Sequence, residues 1–392
     1  MIYFIFIGML IIFSYLEFCG RGYCILGSKS IEKHCYVLVA VFLTLFCALR
    51  YKIGGYPDWA IYMHCFDTCT VYDWTKTFEA GYVMLNTLFK KVFDNYFVLQ
   101  MCCSIFCGWI IFGNYYKKSQ YPFLLLTAYF LLHFCWLNMT LVRQCIAVSI
   151  IVLGMRYVEN RRFVKWILVV VTAMQFHVTA LIAFPLYFTT GYKISRKTAI
   201  LLLTVSLLIN VFGRELVVEC VKFIAGLSFI PTRISVIAHT YLRSVFNGKM
   251  IEYKTGLGVF VKYIFYFSAS LSYFYNTEKN KLSQMKNNYL LNFLIGIFML
   301  AIGRNFAVAD RLSYYYLIGG NGYFVYGALC NLNFRSKHIC FDKQSRRFLS
   351  FIAVTLFLSF NLYDFCKFYF YGKSLLGVPL RVFFSPYKTF IF

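Results

Sequence analysis

The chain has 392 residues, 60% of them hydrophobic and 14% charged, against roughly 45–50% and about 25% in an ordinary globular protein. Its 39 Lys and Arg outnumber 15 Asp and Glu, a formal charge of +24, yet the positives fall mainly between apolar runs and read as membrane-topology signals, with no nucleic-acid partner expected. A soluble enzyme, a disordered chain and a disulfide scaffold are excluded: the 15 Cys lie largely in apolar stretches without CxxC spacing and behave as small buried hydrophobes.

Crossing a ~30 Å hydrocarbon layer takes about 20 apolar residues, fewer when flanks snorkel or the helix is buried in a bundle. The pattern predicts an all-α polytopic membrane protein, a single integral domain over 1–392 with about twelve transmembrane helices. In chain order they cover 2–19, 35–49, 96–114, 122–137, 141–158, 164–176, 178–190, 198–212, 257–275, 289–303, 312–332 and 348–364. The opening MIYFIFIGML lacks a positive n-region and reads as a retained helix.

Dense positives follow alternate segments: Arg21, Lys29 and Lys33; Lys117 and Lys118; Arg156, Arg161, Arg162 and Lys165; Lys193, Arg196 and Lys197; Lys279, Lys281 and Lys286; and the group from Arg335 to Arg347. The positive-inside rule assigns these linkers to the cytoplasm and both termini to the outer side. Outer loops then span about 50–95 and 213–256, the first containing a half-apolar stretch, 78–93, expected to lie in the interface. Two short segments meet at Gln175-Phe176-His177, a broken pair whose irregular backbone must line a cavity or be covered by protein, which makes His177 a candidate cavity residue.

Arg50, Arg143, His177, Arg304 and Arg311 gather on the outer face. Each arginine alone reads as a snorkelling anchor. As a set they sit against the positive-inside rule, and a planar fork that stays protonated in a partly apolar site points to phosphate or carboxylate binding. Asp58, after Gly54-Gly55-Tyr56-Pro57, either satisfies loop amides or contacts a ligand beside Trp59 and Tyr62. Glu79 in FEAGY reads as an interfacial cap, and Tyr314, Tyr315 and Tyr316 as an aromatic belt. Cys65 and Cys69, with His64 and Asp67 nearby, lack a second ligand pair, so no metal is expected. Nucleotide-binding, dinucleotide-binding, GxSxG, HExxH and DxD-like motifs are not found in a credible context, so energy must arrive in the substrate.

The string LRYKIGGYPDWAIY resembles the RxGxGxDxxxY opening of the EpsG-type and Wzy-type bacterial polysaccharide polymerases, and FEAGY is similar to their EpGY segment. LVRQCIAVSIIVLGMRYVENRRFVKWILVVVTAMQFHVTALIAFPLYF resembles their RQxxA…FHxxA block in order and spacing, and FSPYKTFIF their closing PY motif. The chain departs from the pattern at GGYPD, where an insertion precedes the aspartate.

The resemblance implies a GT-C-like polymerase in a bacterial inner membrane, acting on the periplasmic side in O-antigen (lipopolysaccharide) biosynthesis without metal or cofactor. It implies two undecaprenyl-diphosphate-linked oligosaccharides as donor and acceptor, en bloc glycosyl transfer, and a chain-length regulator protein as candidate partner. A leaving diphosphate needs positive charge, for which Arg143, Arg304 and Arg311, with Arg50 and Arg233, are the candidates. A sugar hydroxyl needs a base, His177 first and Asp58 second. Tyr62, Trp59 and Tyr316 are candidates for sugar contact, and Arg243 and Tyr241 for glycan contact from the second outer loop. The rival readings are an O-antigen ligase and a transporter or flippase of lipid-linked oligosaccharide.

Overall fold

The computed structural model describes residues 2–19, 29–51, 58–226, 239, 242, 256–279, 288–303, 307–332 and 343–371. Among these, every regular element is helical. In order they are α1 (Ile2–Cys19), α2 (Lys29–Ala48), α3 (Asp58–Thr68), α4 (Ala80–Phe93), α5 (Tyr96–Lys118), α6 (Pro122–Leu137), α7 (Val142–Glu159) and α8 (Phe163–Met174). Then come α9 (Arg196–Phe212), α10 (Arg214–Ala225), α11 (Leu257–Lys279), α12 (Leu290–Gly303), α13 (Ala307–Tyr314) and α14 (Lys343–Tyr371).

Among the described residues five helices are long and apolar enough to cross a membrane, α1, α2, α5, α11 and α14, and a sixth results if α9 and the sharply bent α10 form one span. The chain is therefore a multi-pass membrane protein. The remaining expected segments take other forms. Pro122–Leu137, Phe163–Met174, Val178–Thr189 and Leu290–Gly303 are shorter apolar helical stretches. The expected segment 312–332 is broken: α13 passes into a π-helical turn, Tyr315–Gly319, and then into the 3-10 stretch Gly322–Asn331. α7 carries Arg143, Arg156 and Glu159 within its 18 residues, so it is no uniformly apolar span, but it is buried on nearly every side and forms the centre of the bundle.

Residues expected on the same side of the bilayer do meet. At one end Lys118 Nζ pairs with Glu159 at 2.5 Å, and the Tyr289 hydroxyl donates to the same carboxylate at 2.7 Å. Arg161, in the left-handed region at φ 53°, donates to the carbonyls of Tyr187 and Thr190 at 2.6 and 2.9 Å. Those bonds tie the return of the α8 hairpin to its start. At the opposite end Gln100 Nε2 donates to the Ala48 and Arg50 carbonyls at 2.9 and 2.8 Å, and Lys262 pairs with Asp364 at 2.5 Å.

Close packing uses small residues, as expected where helices meet without a hydrophobic driving force. A Cβ on Gly154 of α7 would lie 2.3 Å from Val169 Cγ1 of α8. Glu17, 1% exposed, accepts the Phe123 and Leu124 amides at 3.0 Å each and so caps the first turn of α6 with a carboxylate. Glu17→Ala would leave both amides buried without acceptors, at about 1–3 kcal/mol per group. The expected outcome is a clearly lower thermal unfolding midpoint in detergent, with Glu17→Gln intermediate because one carboxamide oxygen remains.

Candidate functional site

Residues 58–93, within the segment expected as the first outer loop, fold into a small aromatic subassembly. Asp73 caps a 3-10 turn, Trp74–Lys76, by accepting from the Thr75 amide. Trp74 stacks on Phe78 at 5.5 Å, and Tyr62 lies 5.8 Å from Phe78 and 5.7 Å from Tyr82. α4 turns Tyr82 and Asn86 inward and leaves Met84, Leu88, Val92 and Phe93 exposed, an apolar face suited to lipid, as expected of an interfacial helix.

Glu79, directly before α4, makes no capping bond with its side chain. Its carboxylate instead pairs with Arg143 and accepts the Val178 amide at 3.2 Å. One side chain thus ties together the start of α4, the start of α7 and the tip of the α8 hairpin. A cation in the first turn of α7 opposes the helix dipole, and the Glu79 charge offsets that cost. The Arg143 guanidinium also lies over Phe78, 4.3 Å from the ring centroid, and 5.8 Å from that of Tyr62.

Gly81 is required by the same contact. The Tyr82 amide donates to the Gln175 carbonyl at 3.2 Å, and a Cβ on Gly81 would lie 2.7 Å from Gln175 Cβ and 2.8 Å from Gln175 O. Glu79, Gly81 and Tyr82 therefore act together: carboxylate, close approach and backbone bond dock FEAGY onto the hairpin tip.

α8 ends at Met174, and His177 has extended backbone before the 3-10 turns Val178–Ala183. The expected break is present, and it sits at the Glu79–Arg143 contact. His177 Nδ1 is 2.6 Å from Thr179 Oγ1, which lies 3.1 Å from the Tyr315 hydroxyl. Burial, reinforced by the Arg143 guanidinium, pushes the imidazole down to about 4, and Arg311 acts in the same sense. Neutral imidazole is the form present near neutral pH.

Asp58 opens α3, half-buried; burial raises its carboxyl above the usual range, while Arg311 and Arg143 oppose that rise. Gln144, next to Arg143, donates to the Arg311 carbonyl at 2.7 Å, which couples α7 to α13. The Arg311 side chain is exposed. Asp58, Tyr62, Arg143, His177 and Arg311 are thus brought into one electrostatic neighbourhood, with Glu79 as the anionic member that sequence reading treated only as a cap.

Other candidates fall elsewhere. Trp59 packs edge-on against Tyr51 and Tyr96, with centroids 5.5 and 6.1 Å away. Tyr316 is buried in the π-helical turn, and it is the neighbouring Tyr315 whose hydroxyl reaches Thr179. Arg50 is folded inward onto Cys47 and Ser104. Arg233, Tyr241, Arg243 and Arg304 lie outside the described residues. Cys65 and Cys69 are buried, and among the described residues no group of three His, Cys, Asp or Glu is placed to share a metal.

The Glu79–Arg143 pair is less than a fifth exposed, at 12% and 18%, so its members should not behave independently. A double-mutant cycle with Glu79→Ala and Arg143→Ala should give a coupling of about 1–3 kcal/mol in unfolding free energy. Additive losses would contradict the pairing. Gly81→Ala should lower stability by about 1–3 kcal/mol, the cost of overpacking, because the contacted atoms belong to backbone and Cβ and cannot swing away.

No curated protein and no solved structure is significantly similar to the chain. The model of the EpsG family matches residues 33–377, a span that takes in most of α2, the aromatic subassembly, the Glu79–Arg143 contact, the His177 break and Arg311. By that match the chain is a member of the EpsG family.

Proposed function

We propose that this protein is a polysaccharide polymerase that joins undecaprenyl-diphosphate-linked oligosaccharide repeat units. The reaction is en bloc glycosyl transfer on the periplasmic side of a bacterial inner membrane, within a GT-C-like arrangement of about twelve crossings, several of them short. The carrying observation is the meeting of Asp58, Glu79, Arg143, His177 and Arg311 at one end of the bundle. Membership of the EpsG family supports the same class of reaction.

The geometry supports the following roles. Arg311, exposed and with its carbonyl held by Gln144, is the first ligand for the donor's diphosphate. Arg143, oriented by Glu79 and Phe78, is the second and faces the charge that grows on the leaving oxygen. Fixed guanidinium groups stabilise such charge without reorganising. His177 accepts the proton of the attacking acceptor hydroxyl, oriented through Nδ1 by Thr179 and Tyr315. The acceptor oxygen forms the new bond to the donor's reducing-end carbon as the bond to undecaprenyl diphosphate breaks. Tyr62, between Arg143 and the aromatic subassembly, is placed for sugar contact, and Asp58 is the alternative base.

Burial is the main cause of His177 neutrality, and a diphosphate entering beside Arg143 and Arg311 offsets the positive charge that adds to it, so the ring gains basicity when donor is bound. Since protonation removes the base, activity is lost as pH falls through its pKa. The acid limb of kcat/KM, which reports the free enzyme, should lie near 4, and the limb of kcat at higher pH. Coincident limbs near the usual histidine value would contradict this coupling.

The gathering of Arg143, His177 and Arg311 at one end of the bundle favours transfer over transport of the lipid-linked unit. Arg143→Ala, His177→Ala and Arg311→Ala, expressed at normal level in a strain lacking the gene, should each leave surface glycan with a single repeat unit. Normal ladders from all three would overturn the site.

A further inference from the structure

The base of the broken hairpin carries a charge imbalance. Besides Arg161, whose guanidinium is committed to the Tyr187 and Thr190 carbonyls, residues 156–197 hold six exposed cations, Arg156, Arg162, Lys165, Lys193, Arg196 and Lys197. The same stretch holds a single acid, Glu159, already engaged by Lys118 and Tyr289. Among the described residues none of the six cations is ion-paired.

Their placement adds to the imbalance. α8 and α9 both start at this end, and neither has an acid in its first turn. Lys165 lies in the first turn of α8, just after Arg161 and Arg162, and Arg196 and Lys197 are the first two residues of α9. Each helix therefore adds cations to the positive end of its own dipole, which is unfavourable unless an anion is near. The same conflict at the start of α7 is resolved by Glu79, whereas no carboxylate of the described residues resolves it here. The Arg161 bonds hold the α7–α8 turn against residues 187–190, and the Gly191 amide donates to the Asn288 carbonyl at 2.8 Å, so this surface is fixed in shape.

The surface is apolar as well as cationic. Phe163, Val164 and Leu168 of α8 and Phe188 of the returning arm are exposed beside these cations, and Phe163 packs on Tyr187 and Phe188 with centroids 4.9 and 6.2 Å away. A soluble polyanion would meet the charge and leave those side chains in water. A phospholipid brings phosphate for the first and acyl chains for the second. We propose that the base of the hairpin is a docking surface for anionic phospholipid, with Arg162 and Lys165 on the α8 side and Lys193, Arg196 and Lys197 on the α9 side binding the headgroup phosphate. The positive linkers assign this end to the cytoplasmic leaflet. Bound lipid steadies the base from which the hairpin carries His177 to the opposite end, so the surface is separate from the proposed transfer site.

The test titrates phosphatidylglycerol, or phosphatidylcholine of matched acyl chains, into the purified full chain in detergent and follows the unfolding midpoint. A ligand of the folded state raises the midpoint as its concentration grows, so phosphatidylglycerol should raise it and phosphatidylcholine should not. Arg162→Gln with Lys165→Gln, and separately Arg196→Gln with Lys197→Gln, should each raise the half-saturating mole fraction of phosphatidylglycerol roughly tenfold. All four substitutions together should abolish the response, and because these side chains are exposed the variants should fold. Lys76→Gln with Lys91→Gln, two exposed cations of the aromatic subassembly at the opposite end, should leave the response intact. Equal responses to the two lipids, an unchanged response in the fourfold variant, or an equal loss in the Lys76 and Lys91 pair would overturn the site. So would an equal rise with glycerol phosphate or the soluble polyanion heparin in place of lipid. None of these readouts depends on whether the protein polymerises glycans.

Discussion

The arrangement depends on one carboxylate. Glu79 holds the Arg143 guanidinium and the Val178 amide at once, so α4, the central helix and the tip of a broken hairpin share a single anchor. Arg143 opposes the dipole of its own helix, and the loop alone has no reason to sit on the hairpin. Glu79 removes both difficulties, and the Gly81 and Tyr82 contacts to Gln175 make the docking close. Without that anchor, positive charge at this end of the bundle would be self-repelling; with it, Arg143 keeps a fixed direction while Arg311 stays open to solvent.

The broken hairpin is the second element of the account. α8 and the 3-10 turns after it lie back to back, with the Trp166 indole donating to the Phe184 carbonyl at 3.0 Å and Arg161 closing the base. Neither arm is long, but the pair carries irregular backbone to the place where irregular backbone is useful. Its tip presents His177 beside two arginines, and the Thr179–Tyr315 contact links that tip to the π-helical turn after α13. In the proposed reaction this division gives two sets of groups: guanidinium groups for the leaving diphosphate and a neutral imidazole for the incoming hydroxyl.

Much of this was legible in the sequence, and the remainder was not for physical reasons. Apolar runs with alternating positive linkers located the helices, and the short segments around Gln175–His177 marked the break. The anchor escaped because Glu79 and Arg143 are 64 positions apart and nothing local to FEAGY distinguishes a capping carboxylate from a bridging one; the motif identified the residue and left its partner unknown. Tyr315 reads with its neighbours as an aromatic belt, but its hydroxyl reaches Thr179, since a π-helical turn rotates side chains less per residue than an α-helical one and shifts the face presented. Arg50 read as an end-of-helix cation, but a long side chain at a helix end can fold back as well as snorkel, and only packing decides which. The number of full-length spans was also beyond composition, because helices buried inside a bundle need not match the bilayer thickness.

The central claim is that these groups join lipid-linked repeat units, and purified protein tests it most directly. The chain is reconstituted in vesicles with radiolabelled undecaprenyl-diphosphate-linked repeat unit as the sole substrate, and the glycan lengths are resolved. Products of two or more repeats with stoichiometric release of undecaprenyl diphosphate, absent from an Arg311→Ala preparation, are the expected result. Repeat units that stay single, or merely change leaflet, would contradict the account.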